Sequence, residues 1–122
     1  MNKKIILVVE DEHGISGAVK IKLENEGYAV LEADSVDSAK ILFDEHDVAL
    51  VWLDHYLRGD KTGLDFIAYV KDVMPETPVF VVTNTASSNE KYSYLKLGAD
   101  KYYVKTNYSL NDLVEAVKEL VD

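Results

Sequence analysis

The chain has 122 residues, 48% of them hydrophobic, with 13 basic and 22 acidic side chains, a net charge of −9 and no cysteine. That length suits one compact domain, 1–122, and the apolar fraction is enough for a core, which excludes wholesale disorder. The acidity argues against nucleic acid or anionic membrane as direct partners, because Lys3–Lys4 is a pair and no basic cluster exists; the missing thiols exclude disulfides and cysteine-ligated metals.

The first apolar run, Ile5–Val9, is too short for a signal segment and ends in acids. It predicts a strand buried on both faces. No stretch nears the ~18 apolar residues of a membrane span, so a cytoplasmic chain is expected. Ile15, Ala18, Val19 and Leu23 follow helical spacing, with Gly27 at the C-cap position. Tyr28–Leu31 reads as a second strand. Ser35 predicts a cap for a helix carrying Val36, Ala39, Leu42 and Phe43. Val48–Leu53 is the third strand and Leu57–Gly63 a loop.

Leu64, Ile67, Ala68 and Val70 predict a helix that Met74–Pro78 stops. Val79–Val82 is the fourth strand, followed by a polar loop over Thr83–Ser88 and a short helix from Asn89 to Leu97 that Gly98 ends. Lys101–Val104 is a short fifth strand. Leu110, Leu113, Val114, Val117, Leu120 and Val121 form the stripe of a last helix, capped by Ser109 with Asp112.

A strand followed by a helix, five times over and without hairpin signals, predicts an α/β fold: a parallel sheet with helices on both faces. Ligands of such sheets bind outside the carboxyl ends of the strands, where strand order reverses. Glu10, Asp11 and Glu12 follow the first strand; Glu32, with Ala33 and Asp34 after it, ends the second; Asp54 follows the third, Thr83 the fourth and Lys105 the fifth. Acids so close resist joint ionisation unless a cation joins them. Mg²⁺ is the natural candidate, a hard ion that takes carboxylates, a carbonyl, waters and a phosphate oxygen.

VVEDE, the Asp54 closing the third strand, VVTN and GADKYYVK, each at the end of its proper strand, resemble the receiver domain of two-component response regulators of the chemotaxis-regulator type. The resemblance covers essentially the whole chain. It implies a doubly wound, flavodoxin-like sheet of strand order 2-1-3-4-5. It implies Asp54 as the phosphoacceptor that attacks a phosphohistidine. Asp11 is then a direct Mg²⁺ ligand, Glu10 acts through water, and Asp54 and the Tyr56 carbonyl complete the protein ligands. Lys105 pairs with the carboxylate and then the phosphoryl group, Thr83 is the switch hydroxyl, and Tyr102 is the aromatic that moves with it. The implied partners are a histidine kinase or histidine phosphotransfer protein and an output protein or domain. A dimer through the last two helices is left open.

Departures from the family pattern carry their own expectations. Glu10 stands where aspartate is usual. Arg58 replaces a proline and Gly63 comes one residue late, which predicts a longer and more mobile loop. Asn84 stands where a small residue is typical, and either narrows the phosphoryl site or contacts the phosphate. Thr106 replaces the proline after Lys105, leaving that bond cis at a cost of ~2.5–4 kcal/mol or trans with an altered loop. Tyr56 and Thr85 occupy positions that tune attack of water on the acyl phosphate, and neither can position that water as a carboxylate or amide would. His55, next to Asp54, is expected to face solvent or pack rather than act as a base. Tyr92, Tyr94, Tyr102, Tyr103 and Tyr108 crowd the last third, as packing or as a partner face. Two rival readings remain: an aspartate-nucleophile phosphatase, which would want an acid where Tyr56 stands, and a receiver fold kept as a docking module.

Overall fold

A computed structural model describes residues 2–84 and 87–122. Five strands, β1 (Ile5–Val9), β2 (Ala29–Ala33), β3 (Val48–Leu53), β4 (Val79–Thr83) and β5 (Lys101–Val104), form one sheet in the order β2-β1-β3-β4-β5. All pairings are parallel. Five helices, α1 (His13–Asn25), α2 (Val36–Glu45), α3 (Gly63–Val73), α4 (Ser88–Lys96) and α5 (Leu110–Val121), alternate with them, and a 3-10 turn spans Lys105–Asn107. This is the doubly wound, flavodoxin-like α/β fold expected from the sequence.

The unbroken apolar runs of the central strands follow from coverage on both faces. Alternate side chains point to opposite sides. Leu7, Val9, Val51, Leu53, Val79 and Val81 pack against Phe43, Phe66, Ile67, Val70 and Tyr94 from α2, α3 and α4. Ile6, Val8, Leu50, Trp52, Phe80 and Val82 pack against Val19, Leu23, Leu113, Val114 and Val117 from α1 and α5. The chain reverses direction across the sheet after β2. Right-handed crossovers then put α1 and α2 on opposite faces, and the reversal falls between β1 and β3.

Local chemistry fixes the element ends. Ser35, Thr62 and Ser109 cap α2, α3 and α5 in reciprocal boxes with Ser38, Asp65 and Asp112. Gly27 adopts φ 97°, a conformation side chains disfavour, and its N–H closes α1 on the Glu24 carbonyl at 3.0 Å. The second strand differs from expectation. The Tyr28 N–H bonds the Leu23 carbonyl at 3.2 Å, which makes Tyr28 part of the helix end, and pairing with β1 runs on to Ala33. Thr83 lies within β4 rather than after it, α3 starts at Gly63, and α4 at Ser88. The Lys105–Thr106 bond is trans. Among the described residues, no helix is long and apolar enough to cross a membrane.

Candidate functional site

The two central strands bring the acids together. Val9 and Leu53 are paired in register, and the Asp54 N–H donates to the Val9 carbonyl at 3.0 Å. Glu10 and Asp54 therefore emerge side by side, 2% and 5% exposed. Asp11, one residue on, is exposed. One carboxylate oxygen from each of Glu10, Asp11 and Asp54 lies within 4.8 Å of the other two. Lys105 reaches in from the far side of β4, its Nζ 3.1 Å from Glu10 Oε2 and 3.2 Å from Asp54 Oδ2. The other Asp54 oxygen, Oδ1, accepts the His55 N–H at 2.7 Å.

Two buried carboxylates thus share one ammonium. Burial, a hydrogen bond with Asp54 and the charge of Asp54 push Glu10 up to about 8, against the pull of Lys105. Burial alone would lower Lys105, but the charges of Asp54 and Glu10 outweigh it and hold the ammonium above the ordinary lysine range. The donor set is all hard oxygen and carries an excess of negative charge. Such a set fits Mg²⁺ and offers nothing to a soft metal.

The remaining expected residues are distributed around this centre. Thr83 is fully buried at the end of β4 and pairs with Val104, the residue before Lys105. Asn84 follows, exposed. Tyr56 is 58% exposed, with the edge of its ring against the His55 ring at 4.8 Å between centroids. Tyr102 is half-buried, and its hydroxyl donates to Glu90 on α4. Thr85 lies outside the described residues. The Glu32 carboxylate is taken by the Ser16 hydroxyl at 2.5 Å and by Lys20 at 3.6 Å.

His55 packs, as expected, but its partners were not foreseen. Its Nδ1 is 2.7 Å from the Tyr94 hydroxyl and its Nε2 3.2 Å from Glu90 Oε1. Glu90 and Tyr94 are four apart and share a face of α4; that spacing is the signal in the sequence, although nothing there names the distant histidine. Burial, then the charge of Glu90, keeps the Tyr94 hydroxyl protonated far above the ordinary tyrosine range. Gly63 shows how closely this face is built. A Cβ there would strike the Tyr94 hydroxyl and lie 2.5 Å from the Asp54 carbonyl oxygen.

The loop after Asp54 is pinned, contrary to the mobility its sequence suggests. The Arg58 N–H, which a proline would lack, donates to the Asp34 carbonyl at 2.9 Å. The Arg58 guanidinium meets the Asp34 carboxylate at 3.0 Å, Lys61 meets Asp37 at 2.8 Å, and Leu57 is buried.

Comparison with known proteins bears on the family and the fold. The family model for the response regulator receiver domain matches residues 6–118. The chain is 34% identical over 118 residues to the phosphate regulon transcriptional regulatory protein PhoB of Escherichia coli (strain K12), covering 95% of this chain and 51% of that protein. It therefore spans about half the length of this relative. A CheY-like receiver domain protein from Methanospirillum hungatei JF-1 superposes with a TM-score of 0.92 at 30% identity, covering 99% of this chain and 95% of the other. The response regulator protein TrrA of Thermotoga maritima, solved in complex with Mg²⁺-BeF, superposes with a TM-score of 0.85 at 30% identity, covering 96% and 98%.

Proposed function

The chain belongs to the response regulator receiver domain family of two-component signalling, and from that premise we propose that Asp54 accepts a phosphoryl group from a phosphohistidine. The observation that carries this reading is the buried Asp54 carboxylate, held at one oxygen by Lys105 and at the other by the His55 N–H, beside Glu10 and Asp11. An Asp54 oxygen attacks the phosphorus in line. The P–N bond breaks as the P–O bond forms, its electron pair leaves with the imidazole, and an acyl phosphate remains on Asp54.

In this proposal Asp11, Asp54 and the Tyr56 carbonyl would hold Mg²⁺ directly and Glu10 through water. Bound there, the ion would neutralise charge on the phosphoryl oxygens. Lys105 follows the charge from the carboxylate to the phosphoryl group. The Thr83 hydroxyl and the Asn84 amide meet the phosphoryl oxygens, and Tyr102 adjusts with Thr83. Phosphorylation shifts an existing equilibrium between two surface states, which an output protein or domain reads. The donor is a histidine kinase or histidine phosphotransfer protein, and a cytoplasmic setting belongs to the same proposal. The module is not an enzyme: a phosphatase built on Asp54 would need an acid at residue 56, and Tyr56 supplies a phenol.

Intact mass after incubation with Mg²⁺ and acetyl phosphate tests the reading. A phosphoryl adduct on the wild type that disappears in Asp54→Asn is expected. Turnover of a phosphoester without an adduct would point to a phosphatase, and neither adduct nor turnover to a docking module. Tyr56, beside the acceptor, is expected to shield the acyl phosphate from water. Tyr56→Asn should then shorten its lifetime several-fold in a decay experiment; a wild-type decay faster than the variant's would sink the shielding role.

A further inference from the structure

Glu90 lies in the first turn of α4, in the sequence Ser87-Ser88-Asn89-Glu90. That is the spacing of a capping box, in which the glutamate reaches back to the N–H of the serine. The serine half is made, with Ser87 Oγ accepting the Glu90 N–H at 3.3 Å. The carboxylate goes elsewhere. One oxygen faces His55 Nε2 at 3.2 Å, and the other accepts from the Tyr102 hydroxyl. The His55 and Glu90 side chains are only 14% and 9% exposed. The backbone N–H of the same histidine donates to Asp54 Oδ1 at 2.7 Å. An unbroken series of contacts therefore runs from Asp54 through His55 and Glu90 to β5.

We infer that Glu90 is a positioning residue that ties the orientation of the Asp54 carboxylate to that of Tyr102. The inference rests on Asp54 being the phosphoacceptor. Phosphorylation turns one carboxylate oxygen into the bridging oxygen of an acyl phosphate and changes what Asp54 offers the His55 N–H. The imidazole is flanked by the rings of Tyr56 and Tyr94, at 4.8 and 5.7 Å between centroids, and has little room to absorb the change. Glu90 passes it to Tyr102. Leucine at this position keeps apolar bulk but neither accepts nor donates, so it serves neither His55 nor Tyr102, whereas glutamine could still accept from one and donate its amide to the other.

The test is a double-mutant cycle on the rate of Asp54 phosphorylation by acetyl phosphate with Mg²⁺. Rates are measured for wild type, His55→Gln, Tyr102→Phe and the pair, then for the same four proteins carrying Glu90→Leu. With Glu90 present, the paired effect should depart from the product of the single effects by about threefold or more. With Glu90→Leu the effects should multiply. Multiplicative behaviour in both backgrounds overturns the inference, and so does coupling that survives Glu90→Leu. Melting temperatures are recorded alongside, since lost stability alone does not make two rate effects interdependent. If His55→Gln does not fold, His55→Asn takes its place. A wild type that gains no adduct defeats the phosphoacceptor reading itself and is recognised before any variant is compared.

Discussion

Helices α3 and α4 lie on the same face of the sheet and are held there in different ways. α3 buries Gly63, Phe66, Ile67 and Val70. α4 buries Tyr94, while Tyr92 and Leu95 are 66% and 46% exposed. Apolar burial is non-directional and indifferent to what happens at the carboxylates. Much of what fastens α4 is directional: the Tyr94 hydroxyl and the Glu90 carboxylate, both on His55, the residue after Asp54. The lesson is that the weakly buried helix takes its polar anchors from the site, so its position can answer to the state of Asp54.

The largest effect that tests this contrast is on α3. Phe66→Ala removes a fully buried ring and should cost about 3–5 kcal/mol in chemical denaturation. Gly63→Ala comes next, at about 2–3 kcal/mol, because the Asp54 carbonyl opposite is backbone and cannot step aside. Unlike Phe66→Ala, it should also slow phosphorylation in whatever fraction stays folded. Mg²⁺ at a hundred times its Kd should stabilise the wild type by about 2.7 kcal/mol, and Asp11→Asn should abolish most of that gain. Under the same conditions, amide exchange should change in the first turn of α4 and hardly in α3. Equal changes in both helices would erase the distinction. Tyr94→Phe keeps the ring and removes the hydroxyl from His55; about 1 kcal/mol is expected, with faster exchange confined to α4.

The same contrast separates what the sequence reveals from what it hides. β1 and β3 were legible to the residue, because a strand covered on both faces must be apolar throughout. Once those ends are known, the switch-point rule places Glu10 and Asp54 together, and Lys105 follows from the fifth strand. The errors come where a backbone N–H finds a partner that apolar pattern and turn residues do not indicate. Tyr28 is apolar enough to read as strand, yet its N–H belongs to α1. The loop after Asp54 looks loose because it lacks proline, yet the N–H that Arg58 gains is what ties it to Asp34. The tyrosines divide between both expectations: Tyr94 is buried, Tyr103 packs on Phe80 at 4.9 Å, and Tyr92 and Tyr108 are 66% and 45% exposed. Glu90 drew no expectation at all: its spacing from Ser87 is that of a helix cap, and only the fold shows its carboxylate on His55.

That diversion leads to the smallest prediction. Ser35 closes a reciprocal box at α2 with Ser38, and Ser35→Ala should cost about 1 kcal/mol. Ser87 has only its own half of a box, and Ser87→Ala should cost about half as much. Glu90→Leu then discriminates between anchoring and positioning. Leucine loses the contacts to His55 and Tyr102 but puts apolar bulk on a largely buried position, which offsets part of what α4 loses. Its net cost should stay at about 1 kcal/mol, and the cost of Ser87→Ala should be unchanged in its presence, because Ser87 caps through the backbone N–H of residue 90. A larger loss would make Glu90 an anchor of α4 before anything else. A small loss, with coupling between His55 and Tyr102 gone, would separate the role in stability from the role in signalling.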